Sequence, residues 1–190
     1  MRARAPIALV GLRAVGKSTL GELLARGLGV GFVDLDECVR FALQTDCCAH
    51  HAPSLGAWIR EHGWEAFRAR EAAELERVLS DGEPRVIATG GGVVERESNR
   101  RLLRSAARVV WLRESPEVLL QRIARDPTDR PALTDLGPAE ELAAVERRRA
   151  PWYAEVAELQ LECGGRAPSE LAAVLRAQLE ASPTSQRADP

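Results

Sequence analysis

Short apolar runs alternate along this chain with longer stretches in which apolar residues recur every three or four positions. An apolar run of four to six residues between polar or turn-forming residues is typical of a buried strand, and the longer period is typical of a helix with one buried face. Strands are predicted at residues 7–10, 31–35, 85–89, 108–112 and 159–162. Their alternation with helices predicts an α/β fold of three layers, a five-stranded parallel sheet with helices on both faces.

The helical period is clearest after the first strand, where one face collects Leu20, Leu23, Leu24 and Leu28. Because parallel strands need long connections, a helix is expected between each pair of strands. Helices are predicted at residues 18–28, 37–44, 55–61, 64–79, 98–105, 116–125, 138–150 and 168–181.

Two stretches depart from the regular alternation. Residues 37–80 form a long, mostly helical insertion between the second and third strands. Since ligands of such sheets bind at the carboxyl ends of the strands, this insertion is a candidate substrate-binding subdomain. Residues 126–137 hold prolines, a glycine and acidic residues between two helices, which is typical of a lid. We expect residues 1–181 to form one domain and the polar residues 182–190 to form a disordered tail.

Composition narrows the class of protein. The 190 residues are 45% hydrophobic and 28% charged, which is typical of a single soluble domain. A net charge of -2 gives no electrostatic basis for binding nucleic acid or an anionic membrane. The apolar stretch near the N-terminus is too short for a signal or membrane segment. We therefore expect a cytoplasmic monomer with no nucleic-acid or membrane partner.

The four cysteines show no CxxC pair and no spacing of a disulfide framework, so free thiols are expected. The segment from Cys47 to His51 places two cysteines close to two histidines. Adjacent cysteines and adjacent histidines are poorly arranged to ligate one tetrahedral ion, so a variable loop is favoured over a zinc site there.

A glycine-rich motif follows the first strand. Gly11 and Gly16 are separated by four residues, and Lys17 and Ser18 follow directly. This is the spacing of a phosphate-binding P-loop. Lys17 is the only lysine among 26 basic residues, so a lysine at this position indicates a need for its compact charge, which can reach the terminal phosphates. The Ser18 hydroxyl is suited to coordinate Mg²⁺. The alternative interpretation of the whole motif is a glycine-rich turn that binds nothing. The predicted nucleotide contacts are Gly11, Ala14, Val15, Gly16, Lys17, Ser18 and Thr19.

Two carboxylates, Asp34 and Asp36, stand at the end of the second strand. In an ideal strand residues two apart share a face, so both would point to one side near the P-loop. One could support hydrated Mg²⁺ while the other accepts a hydrogen bond from an acceptor hydroxyl and orients it. The alternative for Asp36 is a helix cap.

Glycines and arginines complete the candidate chemistry. Gly90, Gly91 and Gly92 follow the third strand, and three consecutive glycines indicate that a ligand or another backbone comes close. A tight turn is the alternative. Arg68 and Arg149, if they converge on one pocket, would suit a substrate carboxylate. In so arginine-rich a chain, either could instead be a solvated surface charge.

Taken together these motifs resemble the shikimate kinase family over nearly the whole chain. The resemblance rests on the order and spacing of the P-loop, Asp34-Leu35-Asp36, Phe67-Arg68 with Glu71, the three glycines, Arg130-Pro131 and Arg149-Ala150-Pro151-Trp152-Tyr153. It implies a P-loop kinase fold and transfer of the γ-phosphate of ATP, with Mg²⁺, to the 3-hydroxyl of shikimate in the biosynthesis of chorismate and aromatic amino acids. Another small-molecule or nucleotide P-loop kinase, and a kinase-like ligand sensor without turnover, are the alternatives.

The resemblance also implies roles for single residues. Lys17 and Ser18 would serve the ATP phosphates and Mg²⁺, with Asp34 acting on the metal through water. Asp36 would hold the shikimate hydroxyls and act as base. The remaining implied contacts are Arg68 and Arg149 to the shikimate carboxylate, Gly90–Gly92 lining the same pocket, Arg130 in the lid over the phosphates, and Arg166 near the adenine.

The chain departs from the family pattern in its P-loop. Ala14 stands where the family often has glycine, which is tolerable at negative φ and costly at positive φ.

Overall fold

The computed structural model describes residues 5–46, 54–126 and 131–181. Its centre is one parallel sheet, with the strand order β2-β3-β1-β4-β5. Leu9, in the middle strand, pairs with Ala88 on one side and with Val110 on the other. The strands are β1 (Ile7–Val10), β2 (Gly31–Asp34), β3 (Arg85–Ala88), β4 (Arg108–Arg113) and β5 (Leu159–Glu162). The five predicted strands are confirmed, with ends that differ by one residue at most.

Seven α-helices and one short 3₁₀ turn connect and follow these strands in the described residues. The turn, Val93–Glu95, comes directly after the three glycines. The helices are α1 (Lys17–Leu28), α2 (Leu35–Asp46), α3 (Leu55–Ser80), α4 (Glu97–Ala106), α5 (Pro116–Arg125), α6 (Pro138–Val156) and α7 (Pro168–Ala181).

Right-handed crossovers between parallel strands decide which face each helix covers. The chain leaves β1 toward the β2 edge, so α1 lies on one face of the sheet. It then returns through β3, β4 and β5 in the opposite direction, which places the intervening helices on the other face. In agreement, α1 packs against α7, whereas α4 contacts both α3 and α6, and α6 contacts α5. The predicted three-layer fold is confirmed.

The hydrophobic core has two parts. The larger part surrounds the sheet, and all four residues of β1 are buried in it. This is the expected environment of a central parallel strand covered on both faces. The smaller part, which we call the insertion cluster, lies between α2 and the first half of α3. Its buried members are Val39, Leu43, Leu55, Trp58, Ile59 and Phe67.

Three helices differ from the prediction by two residues or more or in how they are divided, and the other ends differ by one residue at most. The helices expected at 55–61 and 64–79 form one element, α3, which is broken at Gly63 by a left-handed backbone with φ of 83°. The sixth helix continues through Pro151 to Val156, six residues beyond the predicted end, because Tyr153 and Val156 extend its buried face. The second helix begins at Leu35, so β2 ends one residue earlier than predicted.

Several predicted features lie outside the described residues. These are the Cys47–His51 segment with its possible zinc site, Arg130 at the centre of the predicted lid, and the predicted tail 182–190. Cys38 and Cys163 are free thiols, as expected. Across the described ranges, no helix is long and apolar enough to cross a membrane.

Candidate active site

A cleft of about 990 Å³ opens at the carboxyl ends of the strands. This is the edge at which ligands of open parallel sheets bind, and the volume suits a nucleotide-sized ligand. The P-loop, the end of β2, the glycine segment, α3 and α6 all contribute to its walls. One cavity therefore collects most of the groups that the sequence singled out.

The P-loop connects β1 to α1 and directs backbone groups toward the amino end of that helix. Gly16 has φ of 101°, and α1 starts at the next residue. Lys17 is 8% exposed, and its Nζ donates hydrogen bonds to the carbonyl oxygens of Gly11 at 2.9 Å and of Leu12 at 2.7 Å. Val15 is buried, whereas Ser18 and Thr19 are exposed to the cleft. A helix amino end with a buried lysine beside it is suited to bind an anion.

Ala14 adopts a left-handed backbone with φ of 62°, the only non-glycine residue in the described part of the chain with positive φ. This conformation brings the methyl group close to the backbone and costs an alanine about 1–2 kcal/mol. Of the two possibilities raised by the sequence, the costly one is therefore present.

Ser18 and Asp34 meet across the cleft floor. The Ser18 hydroxyl lies 2.5 Å from Asp34 Oδ2, and Asp34 Oδ1 accepts a hydrogen bond of 3.0 Å from the backbone N–H of Asp36. Asp34 is thus the residue that caps the start of α2, and Asp36 lies in the first turn. The expectation that both carboxylates lie on one face of the same strand is wrong, because β2 ends at Asp34 and Asp36 belongs to α2. Both residues nevertheless line the cleft, as predicted.

The oxygen atoms of Ser18 and Asp34 fit magnesium. Mg²⁺ usually takes one or two protein oxygens and fills its remaining positions with water and phosphate oxygens. Within residues 5–46, 54–126 and 131–181, no cluster of three or more histidine, cysteine or acidic side chains could hold a metal by itself. The donor set therefore favours a metal that arrives with a phosphate ligand.

The three glycines are packed against charged side chains. A Cβ on Gly90 would overlap Glu71 Oε1, and a Cβ on Gly92 would overlap Arg68 Nη2. Gly91 and Gly92 line the cleft, whereas Gly90 is directed toward Glu71 and Asp36. The close approach indicated by the sequence exists, and buried side chains of the protein itself make it.

Arg68 and Arg149 come together through Glu95. Arg68 Nε lies 3.2 Å from Glu95 Oε2, while Glu95 Oε1 accepts hydrogen bonds from Arg149 Nε at 2.9 Å and Nη2 at 2.7 Å. Arg68 Nη1 is also 2.8 Å from Oε2 of Glu71, which is fully buried. Both arginines are buried, so the interpretation of either as a solvated surface charge is wrong.

Contacts within this network shift the pKa values of Glu95 and Arg68. Burial raises the pKa of Glu95, but the guanidinium groups of Arg149, Arg68 and Arg148 lower it by more. The net pKa therefore lies below the usual value of a glutamate. Burial lowers the pKa of Arg68, yet Glu71 and Glu95 more than compensate and raise it overall. Glu95 and Arg68 therefore stay ionised at neutral pH.

A second group of contacts surrounds the other end of the P-loop. Arg13 pairs with Asp126 at 3.1 Å, which connects the loop to the residue that opens the predicted lid. Arg122 Nη1 donates to the carbonyl oxygens of Ala14 at 3.3 Å and of Val15 at 3.4 Å. Sequence reasoning missed these contacts because an arginine that serves a distant loop has no local pattern.

Arg166 lines the same end of the cleft and donates to the carbonyl oxygens of Cys163 and Glu162 in its own loop. The side chain of Glu114 is 2% exposed and accepts hydrogen bonds from the backbone N–H of Gly165 and from Arg122. This buried carboxylate connects the Arg166 loop to Arg122 and so to the P-loop side of the cleft, and no local pattern in the sequence predicts it.

Comparisons with known proteins agree with the site. The family model described as Shikimate kinase matches residues 13–180. The shikimate kinase of Nitratidesulfovibrio vulgaris is 43% identical over 157 residues, which are 78% of this chain and 81% of that protein. Shikimate kinase 2 of Yersinia enterocolitica is 39% identical over 153 residues, 80% of this chain and 82% of that protein.

Solved structures show the same likeness. Shikimate kinase from Acinetobacter baumannii in complex with shikimate matches with a TM-score of 0.80 at 34% identity, over 93% of this chain and 94% of that one. Shikimate kinase from Aquifex aeolicus matches with a TM-score of 0.74 at 28% identity, over 93% and 96% of the two chains.

Proposed function

This chain belongs to the shikimate kinase family, and we propose that the cleft at the carboxyl ends of its strands is the site of catalysis. The enzyme uses ATP and Mg²⁺ to phosphorylate the 3-hydroxyl of shikimate, a step toward chorismate and the aromatic amino acids. One observation carries the site assignment. A P-loop with a buried lysine and a pair of buried arginines line the same cleft, and Asp36 lines it too.

The P-loop end would bind the nucleotide. Lys17 would exchange its two carbonyl partners for phosphate oxygens, and the backbone of Gly11, Ala14, Val15, Gly16 and Thr19 would surround them. Ser18 and Asp34 would hold Mg²⁺, Ser18 directly and Asp34 through water. Bound there, the metal neutralises charge on the phosphates during transfer.

The arginine end would bind the acceptor. Arg68 and Arg149 present planar N–H groups that match a carboxylate, and the backbone of Gly91 and Gly92 lies beside them. Gly90 would support this wall by its contact with Glu71.

Asp36 stands where the two ends meet. It follows Asp34 in the chain, and its Oδ1 lies 3.2 Å from the position of a Cβ on Gly90. From there Asp36 would orient the attacking hydroxyl and accept its proton as the bond to phosphorus forms.

Three further assignments rest on the family. Arg130 lies outside the described residues, and we place it in a lid of residues 126–137 that closes over the phosphates. Arg166 would contact the adenine from its place at the cleft wall. We take residues 1–181 as one kinase domain with its substrate-binding insertion at 37–80, acting as a cytoplasmic monomer. A net charge of -2 favours a small-molecule substrate over nucleic acid or membrane.

A coupled assay for ADP tests the function and the site together. Wild-type protein should release ADP from MgATP with shikimate, and not with gluconate or a nucleoside monophosphate. Lys17→Met and Asp36→Asn should each lower kcat by about a hundredfold or more, since each removes a group that acts on the transferring atoms. Glu83→Gln, an exposed carboxylate outside the cleft, is the matched control and should retain full activity.

The outcomes separate the alternatives. Turnover with gluconate or a nucleoside monophosphate in place of shikimate would indicate another small-molecule kinase. Tight shikimate binding by calorimetry without any turnover would indicate a ligand sensor. Full activity in Asp36→Asn would show that Asp36 is not the base, and it would leave the family assignment intact.

A further inference from the structure

Glu95 is held between two arginines that come from different parts of the fold. Arg68 belongs to α3 and Arg149 to α6, and each contacts a different oxygen of the same carboxylate. Arg148 pairs with Oε1 as well, at 2.5 Å. Glu95 is therefore a bridge that connects the helical insertion to the opposite wall of the cleft.

The bridge uses particular edges of each guanidinium group. Glu95 engages Nε of Arg68 and the Nε–Nη2 edge of Arg149, and Glu71 engages Nη1 of Arg68. The other terminal nitrogens lie beside the glycine segment, Arg68 Nη2 next to Gly92 and Arg149 Nη1 3.6 Å from the position of a Cβ on Gly91. These two nitrogens beside the glycine segment are not among those that Glu95 engages.

The backbone that carries Glu95 is itself fixed. Asn99 Nδ2 donates to the carbonyl oxygen of Val93 at 2.9 Å, and Arg100 Nη1 donates to the carbonyl oxygens of Val94 at 2.8 Å and Glu95 at 3.3 Å. These contacts anchor the 3₁₀ turn to the start of α4. A carboxylate on so constrained a turn is suited to hold other groups still.

We propose that Glu95 is a positioning residue for the acceptor site, and that it orients Arg68 and Arg149 so that their remaining N–H groups converge on the substrate carboxylate. The inference rests on the proposed role of these two arginines. Counted by formal charge, the cluster has three guanidinium groups and two carboxyl groups, an excess of one positive charge. That excess matches a substrate with one carboxylate, and the pre-set geometry avoids the cost of ordering two long side chains at binding.

The opposite role for Glu95 has a different signature. A carboxylate that occupied the place of the substrate carboxylate would compete with it, and its removal would strengthen shikimate binding. Glu95 instead contacts Nε of Arg68 and the Nε–Nη2 edge of Arg149, and leaves the nitrogens beside Gly91 and Gly92 to other partners, which favours positioning over competition. The two roles therefore predict effects of opposite sign.

The test compares Glu95→Gln and Glu95→Asp with Glu97→Gln as the matched control. Glu97 is nearby in the chain, and its side chain is 63% exposed and pairs only with Arg101 among its described contacts. Kinetic constants are measured separately for shikimate and ATP, and shikimate affinity is measured by calorimetry.

In Glu95→Gln the KM and Kd for shikimate should rise about tenfold or more, with kcat and the KM for ATP within about twofold of wild type. Glu95→Asp keeps the charge but is too short to reach both arginines, so its effect should be intermediate. The Glu97→Gln control should match wild type.

An unchanged or lower KM for shikimate in both Glu95 variants would overturn the inference, and a lower value would identify Glu95 as a competitor. A parallel rise in both KM values with a fall in thermal midpoint would show a structural role only and would also overturn it. Glu95→Asp keeps the inference testable if Glu95→Gln does not fold. The Arg149→Lys variant separates the proposed role of the two arginines from the proposed role of Glu95. If it leaves shikimate binding unchanged the proposed arginine clamp itself fails, whereas if it weakens binding and Glu95→Gln does not, only the role of Glu95 fails.

Discussion

The Ser18 hydroxyl lies 2.5 Å from Oδ2 of Asp34. Ser18 belongs to α1, which follows β1, whereas Asp34 ends β2, and β3 separates these two strands in the sheet. The contact joins the start of the P-loop helix to the far side of the cleft floor. Asp34 also caps α2 through its other oxygen. One carboxylate therefore serves both the local fold and the proposed metal position, and a substitution can separate the two roles.

Asp34→Asn should weaken the magnesium response while keeping the fold. An asparagine oxygen can still accept the hydrogen bond from the N–H of Asp36, but it lacks the negative charge that attracts a hydrated cation. We expect the Mg²⁺ concentration for half-maximal activity to rise about tenfold, with a smaller change in the KM for shikimate. Magnesium titration at fixed ATP measures this, and an unchanged titration curve would exclude Asp34 from the metal site.

Ala14→Gly should relieve the strain of the left-handed backbone at φ of 62°. The relief of about 1–2 kcal/mol is partly offset by the greater freedom of glycine in the unfolded chain, about 0.5–1 kcal/mol. We expect the free energy of unfolding in urea to rise by up to about 1.5 kcal/mol. Ala173→Gly, in the exposed middle of α7, is the control and should lose about 1 kcal/mol. A comparable loss in both variants would mean that the backbone of residue 14 is not strained.

Gly92→Ala should weaken shikimate binding without a backbone penalty. Gly92 has φ of -101°, which alanine adopts freely, but the added Cβ would overlap the guanidinium of Arg68. Because Arg68 is held by Glu71 and Glu95, it can yield only by losing these contacts. We expect the Kd for shikimate by calorimetry to rise at least about tenfold. Gly27→Ala, where the nearest atom lies 3.8 Å away on an exposed helix face, should bind as wild type. Equal affinities in the two variants would contradict the packing argument.

Tyr153, the only tyrosine, should ionise at unusually high pH. Burial raises its pKa to about 12, although Arg149 nearby acts in the opposite direction. Since the pKa in the folded state lies above that of an unfolded tyrosine, the stability it contributes is complete below pH about 10 and is lost as pH rises toward 12. That loss amounts to about 2–3 kcal/mol and should be absent in Tyr153→Phe. Tyrosinate absorbance reads this single group directly, and a folded-state midpoint near 10 would contradict the burial argument.

The sequence predicted the sheet and the parts of the site that lie in or beside short local patterns. The strands are continuous apolar runs, and the P-loop is a fixed spacing around Lys17. Helix ends were less well predicted, since Pro151 and Gly63 are local breakers whose effect depends on what the neighbouring face buries. Tyr153 and Val156 on a buried face carry α6 past its proline.

Glu95 shows what the sequence could not provide. Its partners Arg68 and Arg149 lie 27 and 54 residues away, and no periodicity relates the three. The glycines were informative in kind, because three in a row indicate close approach. Which atoms approach depends on how α3 and α6 fold over the sheet, and that information is tertiary.

The insertion cluster gives the molecule a second level of cooperativity. It contains six buried side chains apart from the main core, and its last member, Phe67, directly precedes Arg68. Small clusters of this kind open at lower free energy than the sheet, so backbone amides of α2 and the first half of α3 should exchange with solvent before those of β1. Because Phe67 directly precedes Arg68, we expect each such opening to draw Arg68 away from Glu95 and from the proposed acceptor site. Shikimate, by binding only the closed form, would suppress that exchange in proportion to its concentration, so the acceptor half of the enzyme would complete its own folding as the substrate binds.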